Sequence, residues 1–238
     1  MRLIVATAIL LSGFNVAFAN ELAAPVKPFT FQHSMYRNNA KLGVAEMNFK
    51  SIGANTWQFS SESKGTEGLA QVARASASDV SVLLLKNGQY ELKSNRVETK
   101  VAFSTRIKTT QLSADGKTYQ YKDRKGEKSV AYQAGVWDQH SLTIALMGAL
   151  RNKKKPPFVF QVVNRDKIEP YTFKIISTQV LDTALGKLNT VRVDRIRDDG
   201  VDKKTQIWFA IDKNFAPVLV KQSNEEGDEI ELRILSIN

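Results

Sequence analysis

The side chains best suited to acid–base chemistry are two histidines, and each is followed by a serine. His33 precedes Ser34, and His140 precedes Ser141. A Ser/His pair acts as nucleophile and base when a third group orients the imidazole. The sequence has no Gly-x-Ser-x-Gly elbow, and Asp138 lies two residues from His140, a spacing at which helical side chains do not face each other. We interpret His140 as part of a capping turn and predict no catalytic residues.

Acidic residues cluster twice near the C-terminus. Residues 198–202 read Asp-Asp-Gly-Val-Asp, and a second group comprises Glu225, Glu226, Asp228 and Glu229. The first group lacks the spacing and the closing glutamate of an EF-hand loop. Both clusters are typical of polar hairpin loops. The chain has no cysteine, which excludes disulfides, iron–sulfur clusters and Cys-ligated zinc. With two histidines as well, we expect no metal site, and the absence of nucleotide-binding glycine motifs leaves no predicted cofactor.

Positive charge is in excess, at 34 Lys and Arg against 24 Asp and Glu, a formal charge of +10. One basic run comprises Arg151, Lys153, Lys154 and Lys155, and another comprises Lys122, Arg124, Lys125 and Lys128. Such runs are typical of solvated loops. They could alternatively attract anionic lipid head groups or polysaccharide, since each basic residue near an anionic surface contributes about 1 kcal/mol. We take Arg151 and Lys153–Lys155 as the candidate anionic-surface residues.

The N-terminus has the pattern of a secretory signal peptide. A basic start at Arg2 precedes an apolar run from Leu3 to Leu11, and Ala17-Phe18-Ala19 offers small residues to a signal peptidase. We predict cleavage after Ala19 and a periplasmic mature chain without a transmembrane segment. Nucleic acid is not an expected partner of an exported chain. Residues 20–28 are predicted to be a leader, and residues 29–238 a single β domain.

The remaining chain alternates with period two, which predicts β-strands. Asn87-Gly88 and Asp115-Gly116 predict hairpin turns because both residue types tolerate positive φ. One segment has the helical period instead. Asp138 is a good N-cap, the prolines at 156–157 cannot continue a helix, and between them lies one apolar stripe: Leu142, Ala145, Leu146, Ala149 and Leu150. The sequence therefore predicts an all-β, mainly antiparallel fold with one packed α-helix at about 138–151.

The C-terminal third resembles the DUF3108 family of bacterial envelope proteins. The matching segments are 180–193 (VLDTALGKLNTVRV), 207–212 (IWFAID), 216–218 (APV) and 227–232 (GDEIEL). The N-terminal half is similar through Tyr36, Gly43, the segment 64–68 (KGTEG) and the Asp138/Ser141 helix start. The resemblance implies a highly curved sheet, a β-spiral or unclosed barrel, similar to envelope β-spiral proteins and more distantly to half-barrel lipoprotein carriers. It implies no catalytic residues.

Aromatic residues lie on many of the predicted strands. Core packing explains them simply. An apolar groove inside the curled sheet is the functional alternative, because a sheet that curls without closing leaves room for an acyl chain or an apolar peptide. The candidate ligand-binding residues are Trp57, Phe59, Trp137 and Leu146.

Three functions follow in order of preference. The first is a non-catalytic periplasmic module that binds or chaperones an envelope component, namely a lipid, a glycan or an apolar peptide. The second is an envelope scaffold that binds a protein partner through an exposed strand edge. The third is a glycan or lipid hydrolase, for which the sequence shows no pair of carboxylates.

Overall fold

The fold is seen in a computed structural model that describes residues 26–197 and 203–238. The predicted signal peptide (1–19), residues 20–25 of the predicted leader and the acidic segment 198–202 lie outside the described residues. Val26, near the end of the predicted leader, is buried in the core. The leader therefore packs against the domain at this residue, whereas Lys27 and Pro28 are exposed.

Within the described residues, fourteen antiparallel strands form one sheet. The strands are β1 (Phe29–Arg37), β2 (Ala40–Gly53), β3 (Thr56–Gly65), β4 (Ser76–Lys86), β5 (Gln89–Val101), β6 (Ser104–Leu112), β7 (Thr118–Asp123), β8 (Gly126–Ala131), β9 (Phe158–Asn164), β10 (Lys167–Thr183), β11 (Gly186–Ile196), β12 (Lys204–Ala210), β13 (Ala216–Ser223) and β14 (Glu229–Ile237). Two helices interrupt them, α1 (Gly68–Val72) and α2 (Leu142–Arg151), and a 3-10 turn follows β12 (Ile211–Lys213).

Strands that are consecutive in the sequence pair with each other, except β8 and β9, and β1 pairs with β14 to join the two halves. The sheet order therefore begins at β8, runs through β1 and β14, and ends at β9. Register shifts in several ladders mark bulges, which bend strands and increase their twist. The result is the predicted all-β fold, an unclosed and strongly curved sheet around a packed helix.

The meander divides the turns between two ends of the sheet. One end, which we call the mouth end, carries the connections at 38–39, 66–75, 102–103, 124–125, 165–166 and 224–228, together with the end of β11 and the start of β12. The opposite end, the far end, carries the connections at 54–55, 87–88, 113–117, 184–185 and 211–215. The predicted Asn87-Gly88 turn joins β4 and β5 with both residues at positive φ, as expected.

Helix α2 lies inside the curl and differs from the prediction in two respects. It begins at Leu142 rather than near 138, because the Asp138 carboxylate accepts the backbone N–H groups of His140 and Ser141 and holds 138–141 as a turn. Its apolar surface is also wider than one stripe, since Ile144 and Met147 are buried as well. A helix that is apolar on most sides belongs in an interior.

Helix α1 was not predicted. It has five residues, none of them buried, so it shows no apolar periodicity that a sequence pattern could reveal. Its position depends on backbone contacts instead. Cβ atoms built on Gly43 and Gly65 would lie 1.9 Å from the Lys64 carbonyl oxygen and 2.7 Å from Ala70, respectively. The two glycines face each other across β2 and β3 and permit this close approach.

Candidate functional site

A cavity of about 570 Å³ lies between α2 and the inner faces of the two halves of the sheet. This volume is within the range of small-molecule sites. Much of its wall is formed by apolar side chains from both halves and from α2: Met35, Ala45, Met47, Leu142, Leu146, Phe173, Ile207, Val220, Ile230 and Leu232. We call this space the main cavity.

The main cavity changes from apolar to basic toward the mouth end. Strand β11 shows this change. Its inward-facing residues Val191 and Val193 are buried and apolar, whereas Arg195, two positions on, and Arg197, just after the strand, line the cavity. The guanidinium carbon of Arg195 lies 3.2 Å from the centroid of the Tyr171 ring. The cavity therefore combines apolar side chains with cationic groups at the mouth end, and the acidic residues Glu62 and Asp79 line it as well.

A hydrogen-bonded polar cluster centred on His140 forms part of the cavity wall. The His140 Nε2 atom lies 2.7 Å from the Ser61 hydroxyl, and Nδ1 lies 3.0 Å from the Ser81 hydroxyl and 3.4 Å from Asp79 Oδ1. The imidazole stacks on Phe59, with ring centroids 4.2 Å apart. The cluster thus connects strands β3 and β4 to the turn that precedes α2.

The hydrogen bonds around Ser81 determine the tautomer of neutral His140. Ser81 donates its single proton to Asp138 Oδ1, at 3.0 Å, so its oxygen must accept from His140 Nδ1. Nε2 is then unprotonated and accepts the hydrogen bond of the Ser61 hydroxyl. This tautomer is the one a general base uses toward a serine.

The carboxylate of Asp79 is also held within this cluster. Burial raises the pKa of Asp79, and a protonated His140 would lower it. The neighbouring Asp138 carboxylate also raises this pKa, whereas the hydrogen bond from Asn95 lowers it. Asp79 lies directly across from Ser61 in the β3–β4 ladder. The arrangement can orient an imidazole and polarise a hydroxyl, and both groups face the main cavity.

His33, the other histidine considered as a candidate, lies in the core and has a structural role. It is fully buried, and its Nε2 donates a 2.8 Å hydrogen bond to the Pro217 carbonyl. Burial lowers the pKa of His33, and this hydrogen bond opposes that effect. The ring links β1 to the start of β13 across β14, and it is not among the residues that line the main cavity.

The four predicted ligand-binding residues lie in four different places. Leu146 is fully buried and lines the main cavity. Phe59 supports the His140 ring. Trp57 stacks on Phe49 with centroids 4.9 Å apart and lines neither this cavity nor the smaller one described next. Trp137 lies on the other side of α2 from the main cavity.

A second cavity, of about 220 Å³, separates α2 from the far end of the sheet. Trp137 and Tyr90 lie on its wall with the helix residues Ala145 and Gly148, and Lys154 is at its edge. Burial raises the pKa of the Tyr90 phenol to about 12. This space is smaller than most small-molecule sites.

The predicted anionic-surface residues lie at the C-terminal end of α2 and in the segment that follows it, toward the far end. Lys153, Lys154 and Lys155 are exposed, and Arg151 is half-buried. They are therefore separated along the sheet from the basic groups at the mouth end. Of the acidic residues, Asp228 accepts hydrogen bonds from Arg37 and Asn38, at 2.5 and 2.8 Å, and stabilises a turn.

Across 26–197 and 203–238, no group of three or more His, Asp or Glu side chains is arranged to hold a metal ion. In the same residues no helix has the length and apolar character needed to cross a membrane.

Sequence reasoning did not identify Ser61, Asp79, Ser81, Arg195 or Arg197 as site residues. The first three meet His140 only through strand pairing and the path of α2, because they lie 59 to 79 residues away in the chain. For the two arginines a signal was available. Alternation along β11 places them on the same face as Val191 and Val193, which marks a strand whose inner face changes from apolar to basic.

Comparison with known proteins identifies the family. The family model described as "Protein of unknown function (DUF3108)" matches residues 31–233. No curated protein matches the chain in sequence. A crystal structure of a β-barrel-like protein of the domain of unknown function DUF1849, from Brucella abortus, superposes with a TM-score of 0.55 at 10% identity. The alignment covers 91% of this chain and 99% of that one, and at this identity it shows the shared fold alone. The chain belongs to the DUF3108 family, whose function is unknown.

Proposed function

We propose that this protein is a non-catalytic binding module of the cell envelope that holds a lipid-like amphiphile in the main cavity. The apolar tail lies deep, beside Leu146 and Ile207, and an acidic head group lies near Arg195 and Arg197. A single observation carries the proposal, namely the change from apolar to basic side chains along the inner face of β11. Of the three envelope components considered, a lipid fits this gradient better than a glycan or an apolar peptide.

Export to the periplasm is part of the same proposal. Its support is the N-terminal pattern, with a basic start, an apolar run and Ala17-Phe18-Ala19. Mass analysis of the protein from a periplasmic fraction tests it. A chain that starts at Asn20 supports export, and a chain that retains Met1 contradicts it.

The tail site can be tested with a dansylated fatty acid and the chain that starts at Asn20. Ala77 lies on the cavity wall, so Ala77→Phe should fill part of the cavity and weaken probe binding by about tenfold or more. Ala131→Phe adds the same side chain at an exposed position of β8 and should leave the affinity unchanged. Equal affinities for the two variants would contradict a site in the main cavity.

The head-group site needs a separate experiment. A fatty acid and a fatty alcohol of the same length should compete with the probe differently, because the acid gains charge-assisted hydrogen bonds worth about 1.5–3 kcal/mol. Combined Arg195→Gln and Arg197→Gln should remove about tenfold or more of that preference. A preference that is unchanged in this variant would place the head group elsewhere.

The alternative scaffold function has one observation in its favour. Among the described strands, β8 is paired on one side alone and its residues are mostly exposed, so its edge could accept a partner strand. Native mass spectrometry of protein from the periplasm distinguishes the two. A co-purified lipid supports the amphiphile site, and a stoichiometric protein partner supports the scaffold.

Ester hydrolysis is the remaining candidate, and the Ser61–His140–Asp79 arrangement favours it. In that reaction Ser61 Oγ would bond to the acyl carbon and pass its proton through His140 Nε2 to the departing alcohol oxygen; water would then release the acid by the same route. Ser61 lies within a strand paired on both sides, so its neighbouring N–H groups serve the sheet rather than an oxyanion. We therefore prefer binding.

A fluorophosphonate probe separates hydrolysis from binding. The binding proposal predicts no covalent adduct under conditions that label a serine hydrolase. An adduct on Ser61 that disappears in Ser61→Ala, while probe binding in the cavity persists, would instead establish a reactive serine.

A further inference from the structure

An apolar tip projects from the mouth end of the sheet. Leu69 and Val72 on α1 have exposed fractions of 86% and 80%, and Phe103, in the turn between β5 and β6, is fully exposed. We call these three side chains the apolar tip. Exposed large apolar side chains grouped in one place mark interaction sites more often than chance surface exposure does.

The tip belongs to an ordered part of the fold. The Ala102 N–H donates a 2.6 Å hydrogen bond to the Ala73 carbonyl, which joins the β5–β6 turn to the end of α1. The Gly65 N–H donates to the Ala75 carbonyl at 2.8 Å, and Gly65 closely approaches Ala70. These contacts hold Leu69, Val72 and Phe103 toward solvent, so their exposure follows from the backbone arrangement.

Cations surround the apolar tip. Lys64 and Arg74 flank α1, and Lys100 and Arg106 flank the turn that carries Phe103; all four are exposed. Two nearby carboxylates are ion-paired. Glu98 binds both Arg96 and Lys100, so the charge of Lys100 is partly neutralised. The Glu67 carboxylate likewise pairs with Lys41 at 2.7 Å. The surface around the tip therefore carries a net positive charge.

We propose that the apolar tip and its surrounding cations dock on an anionic lipid bilayer. Apolar side chains insert between acyl chains while basic side chains remain among the anionic head groups and are attracted to them. The charge complementarity favours this occupant over a protein surface. Docking places the opening of the main cavity toward the bilayer. That consequence rests on the proposed function, whereas the docking itself does not.

Co-sedimentation with vesicles tests the docking. The chain that starts at Asn20 should bind vesicles of phosphatidylcholine and phosphatidylglycerol in equal parts, bind phosphatidylcholine vesicles more weakly, and lose affinity at high salt. Combined Leu69→Ser, Val72→Ser and Phe103→Ser should lower the partition coefficient on the anionic vesicles by about tenfold or more. These side chains are exposed, so the variant should melt at the wild-type temperature.

The matched control changes exposed apolar residues away from the mouth end, on β10 and its turn. Ile176→Ser, Val180→Ser and Leu185→Ser combined should leave vesicle binding unchanged, since these residues lie toward the far end. Insertion of the tip itself is measured with Phe103→Trp, whose added emission should shift to the blue and be quenched by brominated lipids. Val180→Trp should show neither change.

Several results would overturn the docking. One is an absence of binding to anionic vesicles, and another is equal binding by the tip variant and the control variant. A third is a tip variant whose only change is in oligomeric state, which would make the tip a protein interface. The cavity-filled Ala77→Phe should still bind vesicles. Loss of probe binding with retained vesicle binding would therefore separate failure of the amphiphile site from failure of docking.

Discussion

The hydroxyl of Ser61 donates a 2.7 Å hydrogen bond to Nε2 of His140, and this contact joins the centre of β3 to the turn that enters α2. Asp138 fixes the same turn by accepting two backbone N–H groups. The position of the helix inside the curl, and hence the shape of the main cavity, therefore depends on polar contacts as well as on apolar packing.

Removal of this hydroxyl should lower stability. In Ser61→Ala the acceptor Nε2 of His140 loses its partner in a largely buried place, which should reduce the free energy of unfolding by about 1–3 kcal/mol. Ser63→Ala is the matched control, because Ser63 lies on the same face two residues away and its hydroxyl is 3.5 Å from the Ala77 carbonyl. Its cost should be below about 0.5 kcal/mol. Urea unfolding measures both, and equal costs would show that the His140 cluster adds no stability.

Burial of His33 predicts a pH dependence of folding. Its pKa in the folded protein is lowered from 6.5, so the unfolded chain takes up the proton first as the pH falls. The free energy of unfolding should therefore decrease as the pH falls through 6.5, with a slope approaching about 1.4 kcal/mol per pH unit.

His33→Gln should flatten this slope, because its amide can donate to the Pro217 carbonyl without titrating. Asp79, whose pKa burial raises, acts in the opposite direction, since its protonation in the folded state adds stability as the pH falls. The difference between wild type and variant isolates His33. A variant that follows the wild-type curve from neutral to mildly acidic pH would show that another group sets the dependence.

The fold could be predicted from the sequence because alternation reports which side of a strand is buried. Ile207, Val220 and Leu232 were expected to share the core-facing side of the last strands, and all three line the main cavity. The Asn87-Gly88 turn was equally local. The start of the helix was predicted about four residues too early, because the Asp138 carboxylate caps the turn at 138–141 that precedes the helix.

The candidate site could not be predicted to the same extent. Ser61 and Asp79 reach His140 through the register of β3 with β4 and through the path of α2, and neither is encoded in local spacing. The aromatic residues show the same limit. Trp57 and Trp137 are large apolar residues of the kind expected in a groove. In the curved sheet, however, Trp57 packs in an aromatic cluster and Trp137 lines the smaller cavity.

Gly43 and Gly65, which lie in the family-like segments, should not tolerate a side chain because the backbone around them is too close. A Cβ on Gly43 would lie 1.9 Å from the Lys64 carbonyl oxygen, which is backbone and cannot move independently. Gly43→Ala should therefore cost about 1–3 kcal/mol or more. Gly53→Ala, on the same strand, places its Cβ 3.6 Å from Thr56 and should be near neutral. Thermal unfolding compares them, and similar melting temperatures would contradict the close approach of β2 and β3.

Leu146 allows the stability of α2 and the binding of a ligand to be separated. Leu146→Ala and Leu150→Ala each remove a buried leucine side chain from the helix, so each should lower the free energy of unfolding by about 2–5 kcal/mol. Leu146 lines the main cavity, whereas Leu150 is not among its lining residues. With the dansylated fatty acid, Leu146→Ala should raise the dissociation constant by about tenfold, because the tail loses contact with the deleted carbons. Leu150→Ala should leave it unchanged while the protein remains folded. If both variants weaken the probe equally, binding follows the stability of the helix rather than contact with its inner face, and the tail does not lie beside Leu146.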